Sequence, residues 1–225
     1  MTLIPPPGAP QAGACESAYQ ILATTHATCE SFLTILQQVM KDRNAQGGPN
    51  SSEQDLLRAT LVFASSGLDA MIKQLVQDAL PDVLDANNGE NGASENFASY
   101  VQTTIARDPA KASDILARSL TAYSSRDTLV GWFQRQLTAN SLQSKDQIFQ
   151  TASYFDIPTE LLCKGGEQAA LGEAFKIRNK IIHEMDVDFA QNDSRTERTW
   201  SSVVDATNLL LTVASRFLTE TAARV

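Results

Sequence analysis

Apolar residues recur every three or four positions in segment after segment of this chain, and no run alternates in twos between turn signals. The first spacing places apolar side chains on one stripe of a helix, whereas a half-buried strand needs strict alternation. An all-α fold with no strand is expected. Tyr19, Leu22, Phe32, Leu33, Ile35, Leu36, Val39 and Met40 mark a long first helix ending before NAQGGPNSS. Ser51 with Gln54 matches a capping box, and Leu57, Leu61, Leu68, Met71, Ile72, Leu75 and Val76 carry a second helix to a stop at Pro81. After the polar loop LDANNGENGAS comes a helix around Phe97 to Ile105, then Asp108-Pro109 as N-cap and first helical position. TLVGWFQRQL and KDQIFQTASYF read as further helices, the latter with a second box at Ser144 and Gln147. DIPTELLCKGG is a one-turn connector closed by two glycines. The last two long helices span roughly 167 to 187 and 194 to 222. The expected architecture is one bundle of four long helices with shorter ones inserted, over residues 15–225, behind a flexible proline-rich tail at 1–14.

Composition narrows the classes of function. The 225 residues are 43% hydrophobic and 20% charged, enough for a packed core. With 18 basic against 26 acidic residues the net charge is −8, which argues against a broad basic nucleic-acid surface and leaves room for a small cationic cleft. Cys15, Cys29 and Cys163 are odd in number and form no C-x-x-C pair, so a disulfide framework or zinc site is not expected. MTLIPPPGAPQAGA lacks a basic n-region, and no eighteen apolar residues occur together. A soluble, cytoplasmic protein with no membrane partner is expected.

The segment FKIRNKIIHEM holds the chemistry. Leu171, Ala174, Phe175, Ile181, Ile182 and Met185 form a helical apolar stripe, and Arg178 stands in the middle of it. Burying an unpaired guanidinium costs several kcal/mol or more, so a partner has to meet it. Asp69, in SSGLDAMIK, is a candidate. Asn179 and His183 share one face a turn apart, while Arg178 lies ~140° from His183 on a wheel of 100° per residue. Lys176 and Lys180 add a small basic patch. The usual catalytic templates are missing: no phosphate-binding glycine loop, no H-E-x-x-H, no nucleophile elbow. Glu184, Asp186 and Asp188 follow His183 closely, but HEMDVD reads as the start of a solvated loop rather than a metal site. His26, alone on the first helix, reads as structural, and Trp132, Phe133 and Trp200 read as core.

RNKIIH resembles the R-N-x-x-x-H signature of HEPN-domain proteins, in which Arg and His sit on a late helix of an all-helical domain. The resemblance implies a metal-independent endoribonuclease that needs no cofactor, often a toxin of a toxin–antitoxin or phage-defence system. It also implies a homodimer with the site where two such helices meet, RNA as substrate and an antitoxin protein as a further partner. Arg178 and His183 would be catalytic, Asn179 and Asp69 supporting, and Lys176 and Lys180 substrate-binding. The chemistry suits these residue types, because RNA carries its own nucleophile in the 2′-OH. Cleavage then needs proton transfer, which histidine supplies, and charge stabilisation, which the guanidinium fork supplies. Two other readings stay open: a catalytically silent HEPN-like module binding nucleotides or a protein, and a helical adaptor with Arg178 paired inside one chain.

Overall fold

The computed structural model describes residues 2–44, 48–189 and 194–225; three residues of the expected first turn, 45–47, lie outside them. The chain is all-α. Four long helices form the frame: α1 (Glu16–Asp42), α2 (Ser51–Asp78), α9 (Glu167–Glu184) and α10 (Trp200–Ala222). Between α2 and α9 run α3 (Leu80–Asp85), α4 (Gly92–Arg107), α5 (Pro109–Thr121), α6 (Ser125–Thr138), α7 (Lys145–Ser153) and the single turn α8 (Thr159–Leu162).

The frame is built on α2. Its buried row Leu57, Leu61, Ala64, Leu68, Met71, Ile72, Leu75 and Val76 covers more than one side of the helix, so it packs against α1, α10, α9 and α6 at once. On α1 the matching row is Ala18, Leu22, Cys29, Leu33 and Leu36. The two helices approach closely at Gly67: a Cβ there would stand 2.1 Å from Thr25 Oγ1. Phe97, Tyr100, Phe133 and Tyr154 make an aromatic cluster joining α4, α6 and α7, with Phe133 fully buried. Trp132 is buried and Trp200 packs partly against the core, as expected.

Several local readings shift. The capping box opening α2 is Asn50 with Glu53, one residue before Ser51 and Gln54: Asn50 Oδ1 accepts the Glu53 N–H at 3.0 Å and Glu53 Oε2 accepts the Asn50 N–H at 2.7 Å. Arg43 selects this register by donating to both Glu53 oxygens. Pro81 does not stop α2. The helix ends at Asp78, and Pro81 sits in the first turn of α3, where its missing N–H is harmless. Ser144 caps α7 as expected, but Gln147 returns its side chain to the Gln143 N–H. The last helix begins at Trp200 rather than near 194. Residues before it form β1 (Val187–Asp188) and β2 (Ser194–Arg195), a two-residue antiparallel pair that the expectation of no strand missed. The N-terminal segment is extended, and it is docked: Leu3 is buried in the core, and the Ile4 N–H donates to Asn208 Oδ1 at 2.8 Å.

Candidate functional site

The helix carrying the motif is fixed at both ends. At its start, Glu167 accepts the Lys164 N–H at 2.7 Å and both Nη groups of Arg216, tying α9 to α10. At its end, Met185 (φ 52°) and Asp186 (φ 62°) take the left-handed conformation in succession, an uncommon pair for residues with a Cβ. Their N–H groups close onto the Lys180 carbonyl, and Arg195 Nε donates to the Met185 carbonyl at 3.0 Å.

Asp186 is what holds that turn. The reading of HEMDVD as a solvated loop is corrected here, because Asp186 is 0% exposed. Arg58 Nε donates to its Oδ2 at 3.0 Å, and Arg198 donates to both oxygens. Burial pushes the Asp186 carboxyl up, yet the bonds from Arg198 and Arg58 outweigh it and hold the group below its ordinary value. Gln54 clasps Arg198 by both backbone groups, at 2.9 and 2.8 Å, and Arg58 Nη2 donates to the Thr196 carbonyl at 2.7 Å. The contact spans 128 residues of chain, so no local pattern announced it.

Between these fixed ends lies Arg178, half-buried. Its Nη1 donates to Asn179 Oδ1 at 2.9 Å, and its Nε is buried with no partner. Burial lowers its pKa, and the charge of Asp69 opposes that shift. The Leu142–Gln143 turn brings Asp69 near the Arg178–Asn179 pair, but Asp69 does not hydrogen-bond the guanidinium. Its oxygens are taken by the Leu142 N–H at 2.9 Å and Lys73 Nζ at 3.0 Å. Asn179 Nδ2 reaches the Gln143 carbonyl at 3.3 Å, so Asn179 links Arg178 to the turn before α7.

The remaining motif residues point elsewhere. His183 is exposed on the surface of α9. Lys176 pairs with Glu173 at 2.7 Å on the surface, and Lys180 Nζ meets Thr196 Oγ1 at 3.3 Å. Ile182 and Met185, expected in the buried stripe, are 40% and 63% exposed, and Phe189 in the segment that follows is 70% exposed. The buried stripe stops at Ile181 because the chain turns away at Met185. Within one chain the structure thus brings Arg178, Asn179 and Asp69 together and leaves His183 outward, as the ~140° separation requires. His26 is half-buried with its Nε2 unpartnered and stands apart on α1.

Comparison with protein-family models, curated proteins and solved structures finds no match to this chain. Among the described residues no three His, Cys, Asp or Glu side chains group as metal ligands would, and no helix is long and apolar enough to cross a membrane.

Proposed function

We propose that the chain is a metal-independent endoribonuclease of the HEPN-like kind that RNKIIH resembles, working as a homodimer. One observation carries this reading. The frame arginines Arg43, Arg58, Arg198 and Arg216 each bond a carboxylate. Among the described residues Arg178 bonds none, and its buried Nε is unused although Asp69 is nearby. An arginine placed only for stability is expected to be paired like the other four. One kept positioned by a neutral amide, with donors to spare, suits an incoming phosphate.

In this reading Arg178 clamps the scissile phosphate and Asn179 sets the guanidinium plane. Lys176 and Lys180 attract the flanking backbone, and His183 moves the proton. The 2′-oxygen loses its proton as it attacks phosphorus, the P–O5′ bond breaks, and O5′ takes up a proton. The products are a 2′,3′-cyclic phosphate and a 5′-hydroxyl. One exposed histidine serves both proton transfers poorly, and a dimer supplies two. A toxin or phage-defence role, restrained by an antitoxin protein, is what the resemblance adds. The alternative, a binding module without activity, is favoured by one observation: Arg178 and His183 face different ways in a single chain.

The test is incubation of the purified protein with a single-stranded RNA and its deoxy counterpart in EDTA. RNA should shorten and DNA persist, since DNA lacks the nucleophile. Equal cleavage of both, or of neither, overturns the proposal.

A further inference from the structure

Between the aromatic cluster and the α6–α7 turn lies a pocket of about 210 Å³. Tyr100 of α4, Gln136 of α6, Asn140 of the turn, Gln147 and Gln150 of α7, and Tyr154 just after it stand in its walls. None of the lining residues is charged. A phosphate or carboxylate entering it would lose water and meet no opposite charge, so the pocket selects a neutral, polar group. Its volume equals about seven waters at ~30 Å³ each, enough for one nucleobase-sized ring system and too little for two.

The fold holds these walls in place. The Tyr100 and Tyr154 rings meet edge to face with centroids 5.8 Å apart, and both pack on Phe133, at 4.8 and 4.9 Å. Tyr154 is buried and Tyr100 half-buried, so the aromatic wall is rigid. The polar groups are positioned as well. Gln147 Oε1 accepts the Gln143 N–H at 2.6 Å, which fixes the plane of its amide. Gln150 Nε2 donates to the Tyr154 hydroxyl at 3.3 Å. Asn140 and Gln150 are exposed, at the mouth.

We propose that this pocket takes a nucleobase, with adenine preferred to the other three. A base out of its stack is held by aromatic side chains and by hydrogen bonds to its edges, and the pocket offers both. A carboxamide presents a donor and an acceptor side by side, the pattern that meets adenine at N6 and N7. Guanine shows two acceptors at O6 and N7 and calls for Arg or Lys there, and the pocket has amides instead of cations. Cytosine and uracil lack N7, and their single ring buries less face against the tyrosine wall than two fused rings do.

The pocket and Arg178 share the α6–α7 turn. Arg178 Nη1 donates to Asn179 Oδ1, Asn179 Nδ2 to the Gln143 carbonyl, and the Gln143 N–H to Gln147 in the pocket wall. Leu142, also in the wall, donates its N–H to Asp69 at 2.9 Å, and the charge of Asp69 acts on Arg178. Three hydrogen bonds thus link the guanidinium to the pocket. A strand with its phosphate on Arg178 would present a neighbouring base to these walls. That the base belongs to a strand rests on the ribonuclease reading; that the pocket takes a base rests on its own walls. A free adenine nucleoside offers the same edges.

Isothermal titration of the full chain in EDTA with adenosine, guanosine, cytidine and uridine tests the pocket. Adenosine should bind with a dissociation constant of about 1 mM or tighter, at least about tenfold ahead of the other three. Asn140→Ala and Gln150→Ala, at exposed positions, should each weaken adenosine about tenfold with the melting temperature unchanged, while Gln20→Ala on α1 should bind like wild type. No binding, equal binding of all four, D-ribose binding as tightly as adenosine, or pocket variants that bind like wild type overturns the proposal. Displacement of adenosine by an adenine hexaribonucleotide assigns the base to a strand, and an unmoved isotherm assigns it to a free nucleoside. Failure here is separable from failure of the chemistry. Adenosine binding without cleavage of RNA refutes the ribonuclease reading alone, and cleavage without adenosine binding refutes the pocket alone.

Discussion

Asp186→Asn should be among the most destabilising single changes outside the apolar core. The side chain is fully buried and receives Arg58 and Arg198, whose own side chains are 6% and 14% exposed. Asparagine keeps the volume and tolerates the φ of 62°, so backbone strain is not the variable. What changes is the charge: two shielded guanidinium groups lose their shared anion. Breaking a buried pair from one side costs about 3–5 kcal/mol, a large part of the ~5–15 kcal/mol that holds a typical domain. With a urea slope of about 2–3 kcal/mol/M for a chain of this size, the midpoint should fall by about 1–2 M. The pH dependence gives an independent check. The folded carboxyl lies below its ordinary value, so its stabilisation is complete above the unfolded pKa of about 3.9 and is lost as pH falls through the folded value. Urea melts of wild type and Asp186→Asn should therefore differ most near neutrality and converge on acidification below about pH 4. A difference under about 1 kcal/mol at pH 7, or one unchanged at pH 3, would refute the reasoning.

Two further outcomes follow from the packing. Gly67→Ala gains about 1 kcal/mol of helix propensity but forces a methyl into Thr25, whose Oγ1 is held by the Ile21 carbonyl at 2.8 Å. Overpacking of about 1–3 kcal/mol should win, and a raised melting temperature would contradict it. Asp69→Ala strands the buried-side Leu142 N–H and removes the charge beside Arg178. It should cost about 1–3 kcal/mol against almost nothing for the exposed Asp205→Ala, and equal melting of the two would remove Asp69 from the site.

The all-α class was legible because three-to-four spacing persists through every long segment, and α1, α2, α9 and α10 appear where their apolar rows run. What escaped the reading was set by distant partners. Ser51-x-x-Gln54 and Asn50-x-x-Glu53 both satisfy the box pattern, and Arg43 decides between them by pairing with Glu53. Asp186 looked solvated beside its acidic neighbours, since its two arginines are 12 and 128 positions away. The same clamp diverts residues 194 and 195 into a short strand and delays α10 to Trp200. At the site, the position of Arg178 in the seam could be read from spacing, and Asp69 was offered only as a candidate partner. That Asp69 spends its oxygens on Leu142 and Lys73 depends on how the α6–α7 turn returns to α2, which no local pattern encodes.

The central claim concerns Arg178 and His183, and cleavage of a single-stranded RNA in EDTA by wild type, Arg178→Ala and His183→Ala tests it most directly. Arg178→Ala removes the phosphate clamp and His183→Ala the proton-transfer group, so each should lower the rate by about a hundredfold or more with the helical spectrum unchanged. Wild-type products should end in a 2′,3′-cyclic phosphate and begin with a 5′-hydroxyl. Cleavage that survives His183→Ala, or that appears only when a divalent metal is added, would contradict the account.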